Sequence, residues 1–271
     1  MRYYKEHATE FEMIATGGCY GAMGLDTTKF RYKLFNISRN NQDFYYKYKV
    51  AKFIFKQNEN GRHLKYALTE ISPFIFHFDL SKTTIVNSIL EYLITFDDIH
   101  NFWLPIEEYR KLFREEFLNT RLPLENIDLN NLFYQKADYP KCMDLNSRIN
   151  ARKRIDILTK NKSYPETVKE NVKIFDDYLT LCEENNVRSI IFHPPLHEAF
   201  MRYFNREALN EFYTLLGEVL KKHPSAVFFD GWKLKGLSSD EYYSDVDHMN
   251  INYAAKFSTI LNDFIENLEK G

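Results

Sequence analysis

An aspartate and a histidine three residues apart, Asp245 and His248 in the run Tyr243-Ser244-Asp245-Val246-Asp247-His248-Met249-Asn250, have the types and spacing for linked proton transfer. The imidazole can take a proton from a nucleophile while the carboxylate orients the ring and stabilises its cation. The nucleophile that would complete such a triad is Cys19. It follows Gly17-Gly18 directly after the apolar, strand-like run Phe11 to Ala15. A nucleophile in a small-residue turn after a strand is well placed for attack. Gly17 and Gly18 permit a tight turn that lets a helix start close to the strand, so backbone N–H groups at Gly18 and Cys19 are candidate donors to an oxyanion.

Each of these residues also has a plainer reading. Cys19 could be a small thiol packed beneath a sheet, as most free cysteines are. His248 could be a helix-start residue bonded to a nearby carbonyl. Asp247 is the chemical rival of Asp245, but consecutive residues usually point apart, which suggests a surface or N-cap acid. A thiol, with an ordinary pKa of about 8.5, yields its nucleophilic anion more readily than a serine hydroxyl and depends less on a strong general base. Its acyl intermediate would be a thioester, which favours transfer to an acceptor over hydrolysis.

The elements that must position these groups are legible as short apolar runs alternating with longer helix-like stretches. That is the pattern of parallel strands joined by crossover helices. Strands are expected at Glu12 to Thr16, Lys33 to Ile37, Tyr66 to Ile71, Ser189 to His193 and Ala226 to Asp230. Helices are expected at Asp43 to Gln57, Thr83 to Phe96, Thr167 to Asn185, Glu207 to His223 and Tyr253 to Leu268. The fold class is therefore α/β, a three-layer α/β/α sandwich on a five-stranded, mostly parallel sheet. Ligands bind such sheets beyond the carboxyl ends of the strands, where Cys19 and the Asp245–His248 loop should meet.

Two motifs together resemble the SGNH, or GDSL-like, hydrolase superfamily: a nucleophile turn after the first strand, and Asp245-x-x-His248 before the last helix. Within it the chain looks most like cell-envelope O-acyltransferases and the D-alanine transfer protein of teichoic acid synthesis. Gly17-Gly18-Cys19-Tyr20 followed by Gly24-Leu25-Asp26, Asn36-Ile37-Ser38 running to Gln42, and Glu70-Ile71-Ser72-Pro73-Phe74 fit that branch. The resemblance spans nearly the whole chain and implies an SGNH hydrolase/flavodoxin-like sheet. It implies acyl transfer or ester hydrolysis by Cys19, His248 and Asp245 on a carbohydrate or a cell-envelope or capsule polysaccharide precursor, with no cofactor and no metal. The chain departs from the family in carrying Cys19 where serine is usual. For oxyanion or substrate binding the resemblance points to Gly18 in the nucleophile turn, to Asn40 or Asn41 at the second motif's glycine position, and to Ser72 in the stretch that replaces the third motif's asparagine. The lost serine keeps a second class open, a catalytically inactive relative that binds a glycan or scaffolds an assembly.

Residues 1–271 are read as one domain, with 97–164 a cap-like insertion containing a helix-like piece, Ile106 to Leu118, and the basic run Arg148, Arg152, Lys153 and Arg154. That run could bind an anionic substrate or phosphopolymer, or simply form a solvated helix face. A hydrophobic content of 44% supports one large core. With 36 basic against 38 acidic residues, no global charge calls for nucleic acid or an anionic membrane. Cys19, Cys142 and Cys182 are odd in number and widely spaced, which suggests neither a disulfide framework nor structural zinc and fits a reducing compartment. His77, His193 and His197 are too dispersed to indicate a metal. With no signal-like leader and no membrane-length apolar run, the expected location is cytoplasmic, and the expected partners are an acyl donor and a carbohydrate acceptor.

Overall fold

Short runs such as Met13-Ile14-Ala15 and Ile190-Ile191-Phe192 are apolar at every position, as strands covered on both faces must be. A computed structural model describes residues 2–57, 63–83, 100–101, 108, 145–159 and 164–270. Its sheet comprises β1 (Met13–Thr16), β2 (Leu34–Asn36), β3 (Tyr66–Glu70), β4 (Arg188–His193) and β5 (Val227–Asp230). All four pairings are parallel and the order is β2-β1-β3-β4-β5.

Helix α1 (Arg2–His7) precedes β1, and α2 (Cys19–Gly24) and α3 (Phe44–Gln57) make the first two crossovers. After β3 come α4 (Leu145–Thr159) and α5 (Pro165–Glu184), then α6 (Glu198–Tyr203) and α7 (Arg206–Leu220) between β4 and β5, and α8 (Ile251–Leu268) last. Alternate strand residues feed two cores. Met13, Ala15, Leu68 and Phe192 pack with α2, α4, α6 and α8, while Ile14, Ala67 and Ile191 pack with α3, α5 and α7. Helices on both faces of the sheet make the three layers.

The expected strands fall within a residue or two of those observed. Helix α5 starts earlier than its apolar period, because Pro165 sits at its first turn, where the missing N–H is harmless. The helices expected at Thr83 to Phe96 and Ile106 to Leu118 lie outside the described residues, as does most of the 97–164 insertion. Its C-terminal part is α4, which buries Ala151 and Ile155 in the same core as α8. Among the described residues no helix is long and apolar enough to cross a membrane.

The strand order fixes where a site can form. From β1 the chain first steps outward to β2 and then returns past β1 to β3, so the crossovers leave in opposite directions from the β1/β3 pair. A crevice opens at the carboxyl ends of such a pair. Gly17-Gly18-Cys19 leaves the end of β1, and Glu70 is the last residue of β3.

Candidate active site

The turn after β1 is held by its backbone donors. Gly17 N–H donates to Gln42 Oε1 at 2.9 Å, and Gly18 N–H donates to Glu70 Oε2 at 2.7 Å. Side chains are excluded at Gly17 by close approach: a Cβ there would lie 2.7 Å from Glu70 Cβ and 3.2 Å from Ser38 Oγ. Gly18 is the N-cap of α2 and Cys19 its first residue. The Cys19 N–H therefore has no acceptor within the helix, whereas the Gly18 N–H is already engaged by Glu70.

Beneath the turn lies a charged layer. Glu70 is 2% exposed, and Lys47, 1% exposed on α3, donates from Nζ to the Glu70 carbonyl oxygen at 2.5 Å. Burial pushes the Glu70 carboxyl up, partly countered by Lys47 and the Gly18 N–H. Burial pulls Lys47 down, countered by the charges of Glu70, Asp43 and Cys19.

The second half of the site is a folded-back loop before α8. Tyr243 and Met249 form an antiparallel bridge, and Ser244 N–H donates to the His248 carbonyl at 2.8 Å. Asn250 caps α8 by accepting from the Asn252 and Tyr253 N–H groups. Inside this loop Asp245 Oδ1 accepts from the Asp247 and His248 N–H groups at 3.0 and 2.8 Å, and its Oδ2 accepts from His248 Nδ1 at 2.8 Å. One carboxylate thus fixes the backbone, the ring orientation and the tautomer, leaving Nε2 for the sulfur.

Cys19 and His248 lie within hydrogen-bonding reach. Burial acts to lower the imidazole, but the hydrogen bonds with Asp245 and Cys19, together with the charges of Cys19 and Asp247, outweigh it and raise His248 to about 11. Burial likewise acts to raise Asp245, and its hydrogen bonds with His248 and the two backbone N–H groups bring it down to about 2. The ring therefore sits as a cation between a carboxylate and a sulfur, an arrangement that can pass a proton between a thiol and a leaving group.

Asp247 does not lie at the surface. It is 2% exposed, and Arg154 of α4 holds it through Nε at 3.2 and 3.0 Å and Nη2 at 2.9 Å. The loop must turn back on itself to bond Asp245 to His248, and that carries Asp247 inward against α4. The basic run divides accordingly. Arg152 and Lys153 are exposed, whereas Arg148 pairs with Glu198 at 2.7 Å and Asp240 at 3.2 Å.

The hydrogen bonds that define the Cys19–His248–Asp245 unit do not involve Asn40, Asn41 or Ser72. Asn40 is exposed, Asn41 takes a left-handed φ of 62° in the turn closed by Gln42 N–H on Arg39 O, and Ser72 is buried with its carbonyl accepting from Ile75 N–H. His197 Nε2 bonds Asp240 at 2.8 Å while its Nδ1 caps α6, His77 pairs with Glu211, and buried His193 is pushed down to about 4 by desolvation. Among the described residues two groups bring enough ligand atoms together for a metal ion, Asp245/Asp247/His248 and Asp43/Asp79/His100. In the first, Arg154 and the His248–Asp245 bond already satisfy the charges. In the second, Asp79 is paired with Lys82 at 3.0 Å, and Asp43 accepts from the Tyr46 and Leu80 N–H groups.

Sequence reasoning missed Lys47, Glu70 as a partner of Gly18, and Arg154 as the partner of Asp247. A lysine on the apolar stripe Phe44, Lys47, Ala51, Ile54 of α3 was the one available signal. Neither the models of known protein families nor the curated proteins contain a match to this chain.

Proposed function

We propose that the chain is a cysteine-dependent acyltransferase or esterase. The observation that carries this reading is the meeting of Cys19, at the end of β1, with an imidazole oriented by Asp245. Cys19 Sγ attacks the acyl carbonyl, forming a C–S bond. The collapsing adduct breaks the bond to the leaving group, which takes the proton from His248 Nε2. His248 then accepts a proton from an acceptor hydroxyl, amine or water, whose attack breaks the thioester C–S bond and frees the sulfur, with the imidazole protonated again. The Cys19 N–H, unpaired within α2, is the nearest backbone donor for the developing oxyanion. Transfer is favoured over hydrolysis because a thioester discriminates for amines. A carbohydrate or an envelope or capsule polysaccharide precursor as acceptor rests on the likeness of the two motifs to SGNH hydrolases.

Intact mass after incubation with p-nitrophenyl acetate tests the reading. The expected result is one acetyl group on Cys19, absent in Cys19→Ala and formed more slowly in His248→Ala. A Cys19→Ala protein that retains the full esterase rate would end the proposal.

A further inference from the structure

The imidazole of His248 faces two carboxylates, and among the described residues the second of them forms an ion pair with a cation from another element. Nδ1 donates to Asp245 at 2.8 Å and lies 3.8 Å from Asp247 Oδ1. Asp247 in turn is held by three close contacts from the Arg154 guanidinium. Arg154 comes from α4, more than ninety residues earlier in the chain. We propose that Asp247 and Arg154 are positioning residues for the proton-transfer step: Arg154 offsets the second carboxylate beside His248 and so sets the pH at which the Cys19–His248 pair reaches its reactive, ionised form. This rests on the Cys-His-Asp reading above.

Two unopposed carboxylates on one imidazolium would hold its proton too firmly for donation to a leaving group. Removing Asp247 altogether would leave the loop without its buried anchor to α4. A guanidinium across the carboxylate satisfies both needs, because its planar fork can bond both oxygens while its charge cancels the field at the ring. The groups that set this field include Lys47 on α3, whose charge acts on Cys19, and Glu70 on β3 beneath the turn, and the rest come from three further elements. They are Asp245 and Asp247 on the loop, Arg154 on α4, and Cys19 with the buried Tyr20 hydroxyl on α2. Arg148, six residues before Arg154 on the same helix, pairs with Asp240 at the start of the same region. Helix α4 is thus tied to this region by two arginines, Arg148 and Arg154.

The test is the pH profile of Cys19 alkylation by iodoacetamide in the full-length protein, read peptide by peptide by mass spectrometry so that Cys142 and Cys182 are scored separately. The inflection of the Cys19 alkylation rate against pH is the quantity to follow. Asp247→Asn should move the inflection toward acid and Arg154→Met toward alkali. Each should change the rate about three- to tenfold at a fixed pH on the rising limb. The double variant should return toward the parent, and Arg154→Lys should restore part of the shift. A merely structural pair would lower thermal stability without opposed shifts. If both single variants superimpose on the parent, or shift in the same direction, the proposal is overturned. Should Arg154→Met fail to fold, the near-isosteric Asp247→Asn decides alone, and an unmoved inflection overturns it. A His248→Ala profile identical to the parent would instead overturn the Cys-His reading itself.

Discussion

Replacing Glu70 by Gln probes the charged layer that holds the nucleophile turn. The carboxylate does two things: Oε2 accepts from Gly18 N–H at 2.7 Å, and its charge opposes that of Lys47, which is buried with it. Glutamine can still accept from Gly18, so the change from a charge-assisted to a neutral bond costs about 1 kcal/mol. Unit charges several ångströms apart at an effective dielectric near 20 attract by about 2–4 kcal/mol, and this is lost as well. Part of the loss is offset because Glu70 no longer pays its own desolvation, which leaves a net destabilisation of about 2–4 kcal/mol. The pH dependence sharpens the expectation. Lys47 is held below its ordinary 10.5 in the folded chain, so folding releases a proton between the folded value and 10.5 and stability rises with pH in that window. Without Glu70 the folded value falls further, the window widens, and the deficit should shrink as pH rises. Urea denaturation of Glu70→Gln, Lys47→Met and the double variant, at neutral and alkaline pH, measures both effects. The double variant should be less destabilised than the sum of the singles. Glu70→Gln within about 0.5 kcal/mol of the parent, with no coupling to Lys47, would refute the reasoning.

The Asp245–His248 pair makes a separate pH prediction. His248 is raised to about 11, so its contribution is fully present below its ordinary 6.5 and is lost as pH rises toward about 11. Asp245 is depressed to about 2, so its contribution is fully present above its ordinary 3.8 and is lost as pH falls through about 2. A double-mutant cycle of Asp245→Asn with His248→Gln should give its largest coupling between pH 3.8 and 6.5 and a smaller one at about pH 9. Coupling that grew from acid to alkaline pH would contradict the assignment. At Gly17, an alanine Cβ would meet Glu70 Cβ at 2.7 Å, well inside ordinary contact, so Gly17→Ala should lower stability by about 1–3 kcal/mol and slow Cys19 acylation. A Gly17→Ala protein with the parent's denaturation midpoint would show that the turn and β3 can part freely.

The strands and the two chemical motifs were legible because each is written locally. Ile190-Ile191-Phe192 can be only a strand covered on both faces or part of a buried helix, and its length with His193-Pro194-Pro195 behind it decides for the strand. The Asp245–His248 bond spans three residues, so its spacing is itself the geometry. What stayed hidden depends on contacts between elements far apart in sequence. Asp247 reads as a surface acid because the residue that takes it inward, Arg154, lies in a basic run that by composition belongs in solvent. Gly18 reads as an oxyanion donor because nothing in the sequence reveals that Glu70, 52 residues on, already accepts its N–H.

That last contact changes what the Cys19 turn can do. In the acyl transfer proposed above, with the Gly18 N–H tied to Glu70, an oxyanion would be met by the Cys19 N–H and by donors from outside the turn. Glu70 then fixes the turn's direction instead of serving the reacting carbonyl. Asn40, Asn41 and Ser72, the other donors expected from the resemblance, stand in loops at the carboxyl ends of β2 and β3, the strands flanking β1. Holding one donor rigidly while drawing the other from a neighbouring loop would make acylation sensitive to how those loops close over the β1/β3 crevice.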